Sequence, residues 1–167
     1  MNHHGRMRAE VFGLLAAVLV CSTGCGPDAL YADSLGVNAE GWKSAEAAEF
    51  RWEVSDTSRV HDLYIDVRND ATYPFSNMYL FVDFTFPNGK TNRDTLALEL
   101  ADAQGNWLGS GSGHVHDHRI VWHDNARFPL QGQYAVRIVH AMRRDPLPGI
   151  TDVGLRVEYA EPEKAGR

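Results

Sequence analysis

The chain has 167 residues, 44% of them hydrophobic and 23% charged, and carries a net charge of -6. That size favours one domain, large enough to bury about two-thirds of its unfolded surface. The acidic balance excludes a general nucleic-acid binder, which needs a basic surface, and no polybasic run is present to hold the chain on anionic lipid by charge.

Arg6 and Arg8 precede an apolar run from Val11 to Val20. A run of about ten residues is half of what a membrane-spanning helix requires, and it has the length of a signal-peptide core. Ser22, Thr23 and Gly24 follow, then Cys25. The order resembles a lipobox, in which a small residue ahead of the cysteine admits the lipoprotein signal peptidase. Cys21 is the poorer candidate because bulky Val20 precedes it. Two departures stand out: Ser22 occupies the position where Leu is usual, and Glu10 interrupts the basic region. The simpler alternative is a secreted protein cut without lipid attachment. The reading adopted is a signal peptide over residues 1–24 and lipidation of Cys25. Both cysteines of the chain fall in this segment. The domain is therefore expected to lack thiols, which suits an oxidising compartment and excludes cysteine-ligated metals and cysteine catalysis.

Residues 25–46 carry Gly26, Pro27, Asp28, Gly36 and Gly41 and little strand pattern, so they read as the lipidated N-terminus and a flexible tether. From residue 47 the hydrophobic period is two. Phe50, Trp52 and Val54 alternate with polar residues, and so do Leu63, Ile65 and Val67. Further sets are Met78 to Phe86, Leu96 to Leu100, Ile120 with Trp122, Tyr134 to Ile138, and Val153 to Tyr159. Turn signals separate them, notably Pro87-Asn88-Gly89, Asp102 to Gly105, and Pro146 to Gly149. Short strands with one apolar face each must bury those faces together. The expectation is an all-β antiparallel sandwich, Ig-like or jelly-roll-like, over residues 47–160, with a disordered tail at 161–167.

Chemistry is sparse along this chain. His114, His116 and His118 stand at i, i+2 and i+4, so one strand face could present three imidazoles to Zn2+ or Cu2+. The glycine-rich approach, Gly109 to Gly113, favours an exposed polar loop instead, and these histidines rank only as weak metal candidates. That glycine tract lacks the Lys-Ser/Thr ending of a phosphate loop and reads as a turn. No nucleophile elbow is present, and pairs such as Asp83 with Glu99 occur in any acidic β protein. No catalytic residue and no cofactor are assigned. Ala141 to Ile150 mixes Arg with apolar anchors between two strong strands. Met142, Arg143 and Leu147 are therefore candidates for partner binding, as is Trp107. The competing reading makes Leu147 and Ile150 a plug at one end of the sandwich and Trp107 a core residue.

Three stretches carry a family resemblance. They are Asp102 to Gly111, Phe128 to Tyr134, and Met142-Arg143 followed by Leu147 to Glu158. Leu63-Tyr64-Ile65, Arg68-Asn69, Tyr73 and Asn77 to Leu80 fit as well. The chain from about residue 48 to 159 resembles the gliding-motility lipoprotein GldH family of Bacteroidetes. The resemblance implies an envelope protein of the gliding and type IX secretion machinery, with no catalytic residues to carry over. It also implies an acyl anchor on Cys25 and a loop surface that docks an envelope protein. The chain departs from the family pattern at His114, His116 and His118, where acidic and aromatic residues are usual, which weakens the metal reading further. Asp117 fits the pattern. The expected location is the outer membrane, on its periplasmic face. The alternative is a carbohydrate- or peptidoglycan-binding module, with Trp107 and Trp122 as a stacking platform.

Overall fold

The computed structural model describes residues 28–111 and 113–160. Cys25, the expected signal peptide over residues 1–24 and the expected tail 161–167 lie outside the described residues. The described chain forms β1 (Ala29–Gly36), β2 (Ala48–Val54), β3 (Val60–Asp70) and β4 (Asn77–Thr85), then β5 (Thr91–Glu99), β6 (Val115–Arg127), β7 (Gly132–His140) and β8 (Ile150–Tyr159).

The strands pair as if one long hairpin were folded about the β4–β5 turn. β4 joins β5, β3 joins β6, β2 joins β7 and β1 joins β8, all antiparallel. That hairpin is rolled on itself, so β3 also pairs with β8 and β4 with β7. Two four-stranded sheets result, in the orders β1-β8-β3-β6 and β2-β7-β4-β5. This is the jelly-roll form of the sandwich.

Strand alternation supplies the core. Phe50, Trp52 and Val54 of β2 are buried, as are Leu63, Ile65 and Val67 of β3 and Met78, Leu80 and Val82 of β4. Tyr134, Val136 and Ile138 of β7 meet Val153, Leu155 and Val157 of β8 in the same core. Each such side chain contributes about 1.5–3 kcal/mol by leaving water. An aromatic cluster fills one end. Trp52 stacks on Tyr134 at 5.9 Å, and Phe128 packs against Tyr134 at 4.8 Å. The Tyr134 hydroxyl donates to the Leu130 carbonyl at 2.9 Å and accepts from the Leu130 N–H at 3.1 Å, which pins the β6–β7 loop.

The N-terminal part differs from the sequence expectation. Ala29–Gly36, read as tether, is the edge strand β1, in register with β8 from Ala29↔Glu158 to Gly36↔Asp152. Only Leu30 and Tyr31 of β1 are even partly buried, so no alternating apolar pattern marks it. The backbone ladder to β8 holds it, together with Tyr31 packed 5.8 Å from Trp52. Residues 37–47 are also built into the body, since Trp42 is buried and exchanges both backbone hydrogen bonds with Leu147, at 2.8 and 2.7 Å.

The two ends of the sandwich are unlike. One carries Asp28, Ala160 and the short connections 55–59, 86–90 and 128–131. The other carries the longer loops 37–47, 71–76, 100–114 and 141–149, and is called the loop end below. Gly149 knits two of those loops. It has φ +76°, its carbonyl accepts from the Asp70 N–H at 2.8 Å, and a Cβ there would lie 2.2 Å from the Tyr73 nitrogen. Gly89, in the β4–β5 turn, has φ +82° and open space around it. Gly89→Ala is expected to cost about 1–2 kcal/mol from backbone strain alone. Gly149→Ala is expected to cost at least twice as much in urea unfolding. Equal losses would contradict the close approach of the two loops.

Candidate functional site

The loop end gathers most of the residues that the sequence singled out. Its foundation is polar. Arg68 of β3 donates from Nε to Asp117 Oδ1 of β6 at 2.6 Å. The Asp117 backbone pairs with Ser110, N–H to carbonyl in both directions at 2.6 and 2.9 Å, and so folds the glycine tract back on β6. Gly109 permits this, because a Cβ there would sit 2.7 Å from the Asp117 carbonyl oxygen. Next to it, the buried Asn69 amide oxygen accepts from His118 Nε2 at 2.9 Å, which places the proton of that imidazole on Nε2.

The histidine tract is divided by this arrangement. β6 begins at Val115, so His114 lies in the preceding turn and is exposed. His116 and His118 do share a face, but it is the inward face, together with Ile120 and the buried Trp122. His116 stacks on the Trp107 ring at 5.4 Å. Among the described residues, no group of three His, Cys, Asp or Glu side chains is placed to hold a metal ion. The tract is thus neither the wholly exposed loop that the sequence favoured nor the three-imidazole face it offered as a weak alternative, but two packed rings and one turn residue.

Trp107 is half-buried, bridges to Ala101 and leans toward Tyr73 at 6.4 Å. One face of its ring is taken by His116. Trp122, the other half of the supposed stacking platform, is only 8% exposed and donates from Nε1 to Asp94 Oδ2 at 3.0 Å. It packs against Phe84 inside the sandwich and offers no ring face to a sugar. Met142 is half-buried, with its sulfur accepting from the Tyr79 N–H at 3.3 Å. Arg143 is exposed. Leu147 is fully buried against Trp42, so it plugs the sandwich end and cannot touch a partner. Burial is the reason for this correction: its apolar side chain closes the core at the loop end.

The sequence reading missed the charge ladder on the outer face of the β1-β8-β3-β6 sheet. Arg119 grips Asp66 through Nε and Nη2 at 2.8 and 2.9 Å. Arg68 also reaches Asp152 at 3.5 Å, and Arg156 pairs with Glu158. A shallow groove of about 450 Å³ runs among Ser34, Asp66, Arg68, Ser110, Asp117, Arg119 and Asp152. Exposed pairs of this kind contribute about 0–1 kcal/mol each, so they order the surface more than they stabilise the fold. The alternation of Asp66 and Arg68 with Ile65 and Val67 was the available signal, but cross-strand register was needed to pair them.

The family model for the GldH lipoprotein matches residues 29–157, from the first residue of β1 into β8. This chain belongs to the GldH lipoprotein family. A gliding motility lipoprotein GldH homolog of Christiangramia forsetii is 35% identical over 127 residues, covering 72% of this chain and 78% of its own. Gliding motility lipoprotein GldH of Flavobacterium johnsoniae is 30% identical over 155 residues, covering 89% and 94% respectively. Among solved structures, VP2 of the infectious bursal disease virus subviral particle aligns with 80% of this chain at 15% identity, with a TM-score of 0.33. The chain spans 31% of that VP2 chain. The GldH match runs across all eight strands, so residues 29–46 of the stretch read as tether belong to the family domain.

Buried imidazoles are expected to give this GldH domain a pH response. His61, His118 and His140 are buried, and desolvation holds each below its ordinary value of 6.5. Arg59 adds to the lowering at His61 and His116 adds to it at His118, while Asp145 partly opposes it at His140. The unfolded chain therefore takes up more protons than the folded one as pH falls. Their contribution is complete above about pH 6.5 and is lost progressively below it. Urea midpoints are expected to be level from about pH 8 to 7 and to fall between 6.5 and 5, with a shallower fall in His118→Gln. A level profile down to pH 5 would rule this out.

Proposed function

We propose that this GldH-family chain is exported, lipidated on Cys25 and anchored in the cell envelope as a non-catalytic scaffold of the gliding-motility apparatus and its associated type IX secretion machinery. The supporting observation is the family match over the whole sandwich, with a lipobox-like Thr23-Gly24-Cys25 directly ahead of it. Two relatives carrying the name gliding motility lipoprotein supply the biological setting. Residues after the anchor, Gly26-Pro27-Asp28, do not form an acidic run of the kind that directs surface export. This favours the periplasmic face of the outer membrane.

The loop end is the working surface in this reading. Its loops are longer than those at the other end, and long loops on a rigid scaffold are where binding residues concentrate. Arg143 projects from that end beside the apolar Met142 and Tyr79, a pairing suited to an envelope protein. Leu147 serves by holding the 141–149 loop in place.

Metabolic labelling with an alkyne palmitate analogue tests the anchor. The wild-type protein is expected to incorporate label and partition with membranes, and Cys25→Ala to do neither. A mature wild-type chain that stays unlabelled and aqueous would refute the anchor. For the surface, cross-linking in cells is expected to capture an envelope protein with the wild type and several-fold less with Arg143→Ala, at equal folded abundance. Undiminished capture would clear Arg143 of a binding role.

A further inference from the structure

We propose that the end of the sandwich carrying Asp28, Ala160 and the short connections rests on the headgroup surface of the membrane, with the loop end pointing away from it. The inference rests on lipidation of Cys25 and adds an orientation that the anchor alone does not specify.

Reach decides the matter. Cys25 precedes Asp28 by three positions, so the chain between them spans about 10 Å at most. Asp28 is already fixed to the body, because its carbonyl accepts from the Tyr159 N–H at 3.1 Å. From Ala29 onward β1 is laddered to β8, and Tyr31 packs 6.5 Å from Phe50 and 5.8 Å from Trp52. The body is tall by comparison: β6 alone has 13 residues and extends about 40 Å. Turning the loop end to the bilayer would lift Asp28 by roughly that height, several times what the link allows. A tether running to residue 46 would have permitted such a turn, but the placement of β1 removes it.

The surface brought against the membrane suits it. Exposed Arg59, Lys90 and Arg127 are interspersed there with exposed Asp28, Asp56 and Asp124. Neither sign dominates, so the face can meet the phosphates and amines of zwitterionic headgroups without net repulsion. The connections at that end are short, and Tyr134 pins the 128–131 loop, so few flexible groups intervene.

The test exploits the cysteine content. Cleavage before Cys25 removes Cys21, and lipidation blocks Cys25, so one introduced cysteine is the sole free thiol. Full-length lipidated Lys90→Cys and Gln104→Cys proteins would each be labelled with a nitrobenzoxadiazole fluorophore. They would then be reconstituted in phosphatidylethanolamine/phosphatidylcholine vesicles containing headgroup-spin-labelled lipid. Quenching is expected to be several-fold stronger at position 90 than at 104. A flexible Gly-Ser spacer of about 20 residues between Pro27 and Asp28 is expected to erase the difference. Equal or reversed quenching would overturn the orientation, and a difference unaltered by the spacer would overturn the short link as its cause. Mass spectrometry of the N-terminal peptide separates the two readings. An unmodified Cys25 overturns both the anchor and the orientation, whereas a lipidated Cys25 with equal quenching overturns the orientation alone.

Discussion

Mutual burial of two alternating apolar faces governs this molecule. Leu63, Ile65 and Val67 on β3 and Val153, Leu155 and Val157 on β8 are closed over by Met78, Leu80 and Val82 on β4 and Tyr134, Val136 and Ile138 on β7. Side chains alternate with a period of two, so a slip of one residue in any of these strands would turn its apolar set to water. That penalty holds the register, and the register determines which loops emerge at which end. The charge ladder, the histidine packing and the position of the N-terminus all follow from it.

The polar interior shows how functional-looking chemistry is absorbed by a fold. Asn69 and His118 satisfy one another inside the sandwich, and His116 covers Trp107. His140 lies in the core beside Trp42, 3.7 Å from the Asp145 carboxylate. A buried imidazole is tolerated when neutral, because the neutral ring avoids the charge-desolvation cost that protonation would add. Histidine and tryptophan, which in sequence recommend a metal or a sugar, thus serve packing here.

The two ends divide the work. Short connections and both ends of the described chain occupy one of them, while the other is built of long loops cross-braced by Trp42 with Leu147, Gly149 with Tyr73 and Asp117 with Ser110. Bracing keeps exposed residues such as Arg143 on a stiff base, which lowers the ordering cost of docking a partner. The proposed anchored scaffold would use such a division, with one end held and the other presented.

Alternation made seven of the eight strands legible in the sequence, along with the faces they bury, because burial writes a period-two pattern directly into residue type. The family motifs were legible for a related reason: they are local strings. β1 was not, since an edge strand held by its backbone ladder needs no apolar alternation. The sequence also left Ig-like and jelly-roll forms open, because strand order depends on pairings between residues far apart in the chain, such as Tyr31 with Val157. His118, Trp122 and Leu147 each carried two readings until neighbours were known. Whether a side chain is a ligand, a platform or a plug is decided by what the other strands bring to it, and only the tertiary structure contains that.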